Sequence, residues 1–145
     1  MSTEEEIKRI SRTLCKIIQN IDSGKEINKT LNVYTTARGL FINLDDVTES
    51  LILATVALGA KVHALSKGRH NQKTLSFAKE CVAYAHITIP TLESTEKQVR
   101  YFLLTAEVAL MNGLIGETDS LLKGVLATLD ENFELRRLPF ITDMF

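Results

Sequence analysis

The stretch that decides the fold is DVTESLILATVALGAKVHAL, residues 46–65, near the middle of a chain of 145 residues. Its apolar residues recur at steps of three and four, at Val47, Leu51, Ala54, Leu58, Val62 and Leu65. That spacing predicts an α-helix that begins near Asp46, with Glu49 at the distance of a capping box. Four more apolar residues widen the stripe, namely Ile52, Leu53, Val56 and Ala57. A helix that is apolar nearly all round is expected between two neighbouring helices.

The N-terminal segment predicts an amphipathic helix before this central one. Thr3 and Glu6 have the spacing of a capping box, so we expect Thr3 to cap the helix. One apolar stripe follows, formed by Ile7, Ile10, Leu14, Ile17 and Ile21. Basic and polar residues occupy the other faces, which is typical of a helix that packs on one side only. Gly24 is expected to be the left-handed residue after the helix end.

Four further helices are predicted by the same periodicity, at about residues 26–41, 71–86, 95–112 and 117–129. Gly68 is expected to end the central helix. Pro90 is expected to stop the fourth helix, because a proline disfavours helical angles at the residue before it. Gln98 lies at the capping-box distance from Thr95, and the pair Asn112-Gly113 closes the fifth helix.

These patterns predict an all-α fold, since no alternating apolar and polar segment is long enough to be a convincing strand. About six antiparallel helices with short loops fit a closed bundle or a stack of helix pairs, a HEAT/TPR-like α-solenoid segment. We expect the solenoid, as one unit over residues 1–145, because residues 95–129 have the pattern of one solenoid repeat. The apolar tail, residues 130–145, stays unassigned; it packs on the last helices, docks on a partner or belongs to a longer protein.

Composition argues against several classes of protein. Hydrophobic residues make up 45% of the chain and charged residues 24%, which is typical of a folded domain. The net charge of −1 gives no reason to expect nucleic-acid binding. The acidic N-terminus does not fit a signal peptide, and the longest uncharged apolar run, residues 51–60, is about half a membrane span. Two separated cysteines, Cys15 and Cys81, fit a reducing intracellular compartment.

Residues with catalytic or metal-binding potential are sparse and scattered. His63, His70 and His86 have no partner at metal-ligand spacing, and we interpret them as surface or interface histidines. Cys81 lies beside an apolar stripe, where a small buried hydrophobe is expected rather than a nucleophile. Phosphate loops, nucleophile elbows and zinc motifs are absent from the sequence. We therefore expect no enzyme, no cofactor and no metal site.

Residues 61–79 contain five basic side chains and no acid, namely Lys61, Lys67, Arg69, Lys73 and Lys79. One interpretation is a basic patch for an acidic partner or an anionic lipid head group. The other is a solvated turn whose cations complement the C-terminal dipole of the preceding helix. Under the first interpretation, the candidate partner contacts are Lys67, Arg69, His70, Asn71 and Lys73.

Three stretches resemble one known family. They are LNVY (31–34) with AR (37–38) and FINL (41–44), then KGRHNQKT (67–74), and then CVAYAHITIPTL (81–92). Together they are similar to the late solenoid region of the large subunit of the endosomal Retriever complex, a relative of the large retromer subunit. The similarity covers about residues 31–129. The family's large subunit is several times longer than this chain.

The resemblance implies a HEAT-like solenoid without catalytic activity that works in endosomal cargo recycling. In the family, the C-terminal part holds a small subunit with a metallophosphoesterase-like fold, and the N-terminal part holds an arrestin-like subunit. A cytoplasmic protein peripheral to endosomes, touching membrane only indirectly, is expected. The competing hypothesis is a helical adaptor that binds anionic membrane, or an acidic partner, through residues 61–79. A third hypothesis, a small helical enzyme, has no titratable cluster in its favour.

Overall fold

The computed structural model describes residues 3–21, 26–41 and 43–144, with side chains described as far as residue 131. Its helices are α1 (Thr3–Gln19), α2 (Ile27–Leu40), α3 (Asp45–Ser66), α4 (Gln72–Thr88), α5 (Thr95–Met111) and α6 (Ile115–Met144). One 3-10 turn, Ile89–Thr91, follows α4. The described residues form no strand, and the all-α prediction is confirmed.

Two helix pairs, α3–α4 and α5–α6, form the body of the stack, and α1 and α2 each pack on α3. The odd-numbered helices pack in order, α1 on α3 and α3 on α5, and the even-numbered helices do the same, α2 on α4 and α4 on α6. Cross-contacts join α2 to α3 and α4 to α5. Because packing runs from each pair to the next, the architecture is the predicted stack rather than a closed bundle.

Helix α3 lies at the centre of the stack, where it packs against α1, α2, α4 and α5. Its side chains at Val47, Leu51, Ile52 and Val62 are at most 1% exposed, so the prediction of a helix between neighbours is confirmed. Leu65 was expected in the inward stripe but is exposed near the helix end. Over its 22 residues α3 also reaches the length and hydropathy of a membrane span. Its packing inside the stack accounts for that apolar character.

Two predicted capping boxes are wrong. α3 begins at Asp45 after Leu44, and no side chain caps it. α5 is capped by Ser94, whose hydroxyl oxygen accepts the Lys97 N–H at 3.3 Å. Gln98 instead donates to a carbonyl in the preceding loop. At α5 the polar residue one position upstream of Thr95 is the cap, which spacing alone does not reveal.

The boundaries at the other ends differ in smaller ways. Thr3 is the first described residue of α1 and lies within the helix, so it is not a cap before it. Gly24 lies outside the described residues. α6 continues to Met144 and so includes most of the tail that the sequence left unassigned.

Pro90 does not stop the helix in the expected way. Ile89 has helical angles, with φ −52° and ψ −43°, and the chain continues into the 3-10 turn before it becomes extended at Leu92. Proline lies in the first turn of this new helical segment, where its missing N–H would have no helical partner. The helical path therefore ends after Thr91 and not before Pro90.

The apolar stripe of α1 is not buried as predicted. Ile7, Ile10 and Ile17 are 46–56% exposed, whereas Ser11 and Ile18 are buried. α1 packs on α3 with the side that carries Ser11 and Ile18, so part of the isoleucine stripe faces outward. The apolar residues of α6 are divided in the same way: Leu121 and Val125 are buried, but Leu122, Leu126 and Leu129 are exposed.

Candidate functional site: the turn between α3 and α4

The candidate contact residues lie on the tight turn between α3 and α4, which the chain makes with two left-handed residues. Lys67 has φ 53° and Gly68 has φ 74°. The Gly68 N–H donates to the carbonyl of His63 at 3.3 Å, and the Arg69 N–H donates to that of Ser66 at 2.9 Å. These bonds satisfy carbonyls at the end of α3, so Gly68 closes the helix as predicted.

Asn71 caps α4 with a reciprocal capping box. Its side-chain oxygen accepts the Thr74 N–H at 2.9 Å, and the Thr74 hydroxyl oxygen accepts the Asn71 N–H at the same distance. Such a box satisfies two backbone N–H groups that have no partner within the helix. Asn71 therefore has a structural role that holds the turn, whether or not a partner touches it.

His70 ties the turn to the end of α5. Its Nε2 lies 2.8 Å from the Asn112 side-chain oxygen, and its Nδ1 lies 3.0 Å from the Thr74 hydroxyl. The Asn112 amide group donates to the carbonyls of Gly59 and Val108, so its oxygen is left to accept from His70. The ring nitrogen Nε2 therefore donates its proton to the Asn112 oxygen. The turn is thus fixed to the start of α4 and to the end of α5.

The three basic candidates, Lys67, Arg69 and Lys73, are exposed on this turn. No residue in the described part of the chain forms an ion pair with any of them. The structure therefore brings all five candidates together but divides their roles. Three present unpaired positive charge, and His70 and Asn71 hold the backbone that carries it.

The remaining cations of residues 61–79 do not extend this surface. Lys61 lines a groove beside α1 with Ile18 and Leu53. Lys79 lies six residues after Lys73, about 120° away around α4. Lys73 and Glu80, about two turns apart on α4, both line a second groove. The basic stretch of the sequence is divided among different surfaces.

The described residues contain no cluster of His, Cys, Asp or Glu that could hold a metal ion. Cys81 is 1% exposed, and burial together with the nearby Glu80 charge raises the pKa of its thiol to about 12. It packs as the small hydrophobe that the sequence indicated. The rings of His63 and His70 lie 6.3 Å apart and are tilted by 49°. The histidines thus contribute to the packing around the turn.

A polar cluster between α3 and α5 was missed by the sequence analysis. Glu49, which was expected to cap α3, accepts hydrogen bonds from Tyr101 and, at 2.9 Å, from Lys97. Partial burial alone would raise the pKa of Glu49, but the two hydrogen bonds and the positive charges of Lys97 and Arg100 outweigh it and lower that pKa. The cluster holds two helix pairs in register.

The three stretches that carry the family resemblance all contribute hydrogen bonds between helices. Arg38 of α2 donates to the Thr88 hydroxyl at 2.7 Å, and the buried Tyr84 hydroxyl donates to the carbonyl of Tyr34 at 2.8 Å. Burial raises the pKa of Tyr84, so its hydroxyl remains a donor. The first and third stretches thus fasten α2 to α4. The second stretch is the turn fixed by His70, so residues of all three stretches help to hold the helices together.

The fold and this site are typical of a helical repeat protein, a class of protein that binds partners on the surface of stacked helices. Its described residues form no metal-binding cluster. The family model described as VPS35L C-terminal domain matches residues 1–135, and the chain belongs to that family. The expected relationship to the large solenoid subunit is thereby confirmed.

Curated relatives agree with the family match. The chain is 34% identical over 131 residues to a VPS35 endosomal protein sorting factor-like protein of Dictyostelium discoideum. It is 29% identical to a VPS35 endosomal protein-sorting factor-like protein of Homo sapiens and 30% identical to one of Drosophila melanogaster. Each match covers 90% of this chain but only 13% or 14% of the relative. The chain thus corresponds to a small part of these longer proteins.

Proposed function

We propose that this chain is a non-catalytic scaffold segment for endosomal protein sorting, cytoplasmic and peripheral to endosomes, that holds a partner protein. The family match and the sorting-factor names of the relatives support the cellular role. A stack of helix pairs supports the scaffold role, because such stacks bind partners along extended surfaces and need no catalytic cleft. The HEAT-like character and the membership of a Retriever-like complex are part of this proposal.

The observation that carries the proposal is the set of unpaired cations on the turn between α3 and α4. Lys67, Arg69 and Lys73 are exposed without an ion pair among the described residues. The backbone beneath them is fixed by the Asn71 capping box and by the bond from His70 to Asn112. Charges held by a rigid turn suit recognition of an acidic partner surface, because little conformational entropy is lost on binding.

The partner that we propose for this turn is the small subunit with a metallophosphoesterase-like fold. The family resemblance supports it, since the C-terminal part of the family's large subunit holds that subunit. An arrestin-like subunit belongs to the same proposed complex but is expected on a different part of the large subunit. The contact is with protein, so no cofactor and no nucleic acid takes part.

The division of residues 61–79 among separate surfaces favours a protein over a membrane for this contact. A membrane-binding patch needs its cations on one face, where each adds about 1 kcal/mol of attraction to anionic lipid. Lys73 and Lys79 lie on different sides of α4, and the groove that Lys73 lines also contains an acid, Glu80. Sedimentation with anionic liposomes at low and high salt checks this: salt-sensitive binding would support the membrane alternative instead.

The experiment that tests the proposal is binding kinetics with the phosphoesterase-like subunit. The variant is Arg69→Glu with Lys73→Glu, and the charge-matched control is Lys8→Glu with Lys79→Glu, since all four side chains are exposed. We expect the turn variant to associate more slowly and to lose salt dependence, while the control keeps wild-type rates. Equal rates for wild type and a folded turn variant would reject this contact.

A further inference from the structure

A groove of about 520 Å³ opens beside the turn between α3 and α4. Three helices line it, with Ile27 of α2, Val62 of α3, and Lys73, Ser76, Phe77 and Glu80 of α4. Lys73 is also one of the candidate contacts on the turn, so the groove begins where the turn ends. A protein that binds the turn therefore has this groove within its reach.

The groove is apolar in its middle and oppositely charged at its two ends. Lys73 and Glu80 are seven positions apart, so they lie on the same side of α4, about 10 Å from each other along its axis. Phe77 lies between them, and with Val62 it forms a buried apolar floor. Ser76 is exposed and small, so it leaves the groove open above that floor.

Both charged ends are accessible to a ligand. Lys73 and Glu80 are exposed, and neither forms an ion pair with another residue in the described part of the chain. A ligand with one sign of charge would be attracted at one end and repelled at the other. A ligand with an acidic and a basic group about 10 Å apart is complementary to both ends. That span equals about three residues of extended polypeptide, each of which rises about 3.3 Å.

We propose that the groove binds an extended segment of the partner protein, with an acidic side chain at Lys73, an apolar side chain over Phe77 and a basic side chain at Glu80. This proposal rests on the proposed function, because the same partner contacts the turn. The two charges set the direction of the bound segment, since the reverse direction would bring like charges together at both ends.

The turn and the groove contribute to binding in different ways. The exposed cations of the turn attract an acidic surface before contact and raise the association rate. The groove acts only after contact, when an apolar side chain covers Phe77 and loses its water, so it slows dissociation. Association and dissociation rates therefore report on the two surfaces separately.

Binding kinetics with the phosphoesterase-like subunit test the groove through Ser76→Trp, which fills the groove and leaves every charge in place. We expect dissociation to be about tenfold faster, with the association rate and salt dependence of the wild type. The matched control is Ala83→Trp, since Ala83 is exposed on the same side of α4 and lies about two turns farther along. This control should bind like the wild type.

A charge exchange tests the direction of the segment without a change in net charge. Lys73→Glu with Glu80→Lys should dissociate about tenfold faster, because both ends would then repel the segment. Both residues are exposed, so this variant also serves if Ser76→Trp misfolds.

Wild-type dissociation from a folded Ser76→Trp variant, or from the folded exchange variant, would overturn the groove contact. If Arg69→Glu with Lys73→Glu still slows association in that case, the turn contact stands without the groove. If the wild-type chain does not bind the subunit at all, the proposed function and the groove contact are both rejected.

Discussion

Gly59 is the position where the packing of the stack makes its sharpest quantitative prediction. It lies on α3, and a Cβ at this position would lie 3.0 Å from Val108 Cγ1 of α5 and 3.7 Å from Cys81 Cβ of α4. The Gly59 carbonyl also accepts a hydrogen bond from Asn112. Three helices therefore meet at a residue without a side chain, so a single added carbon tests how closely they are packed.

Two opposing effects set the size of the change for Gly59→Ala. Alanine has a higher helix propensity than glycine, which contributes about 1 kcal/mol in favour of the variant. The short distance to Val108, which is buried, forces a shift of side chains or helices that costs about 1–3 kcal/mol. We expect overpacking to dominate, with a net destabilisation of about 1 kcal/mol, because valine is branched at Cβ and its Cγ1 has little rotamer freedom in a helix.

A double-mutant cycle isolates this contact. In a Val108→Ala background the obstructing Cγ1 is gone, so Gly59→Ala should stabilise by about 1 kcal/mol through helix propensity alone. The coupling between the two sites is then about 2 kcal/mol. Gly39→Ala in α2 is the control, because nothing lies within 4 Å of its added Cβ. It should be neutral or stabilising.

Urea unfolding followed by far-ultraviolet circular dichroism measures all four variants, provided that the denaturant slopes agree. A Gly59→Ala variant as stable as the Gly39→Ala control would refute the reasoning, since the three helices would then not be in close contact. Additive effects of Gly59→Ala and Val108→Ala would refute it too, because the loss would not come from this pair of atoms.

Three further predictions use the same assay or simple labelling. Leu58→Ala should destabilise by about 2–5 kcal/mol, because Leu58 is 5% exposed; a loss under about 0.5 kcal/mol would contradict its place in the core. Glu49→Gln should cost about 1 kcal/mol at pH 7, given that Lys97 is 37% exposed. The folded pKa of Glu49 lies below its unfolded value, so the wild-type advantage should vanish as pH falls through the folded pKa, and a constant difference would argue against the ion pair. Native Cys81 should resist iodoacetamide at pH 8, where a pKa of about 12 leaves about 10⁻⁴ of it as thiolate, and react after unfolding; rapid native labelling would show that α4 opens.

The helices could be predicted from sequence because each carries its own local signals. The periodic apolar residues of α3 and the left-handed turn at Gly68 depend on neighbours only a few positions away. The cap of α5 could not be predicted as well, because several polar residues near its start were able to cap, and α3 begins without a side-chain cap. The candidate turn could be found in the sequence from its positive charge. The bond from His70 to Asn112 joins residues 42 positions apart, so no local pattern predicts it.

By itself, the sequence determined the fold class, the number of helices, the central place of α3 and the family, since these depend on periodicity and on the order of short stretches. The tertiary structure alone decided which side of each apolar helix is buried. α1 is apolar on a face wider than its contact with α3, so Ile18 is inside and Ile17 outside. The spacing of apolar residues along one helix gives the direction of its apolar side, but a neighbouring helix has to cover that side before it becomes part of the core.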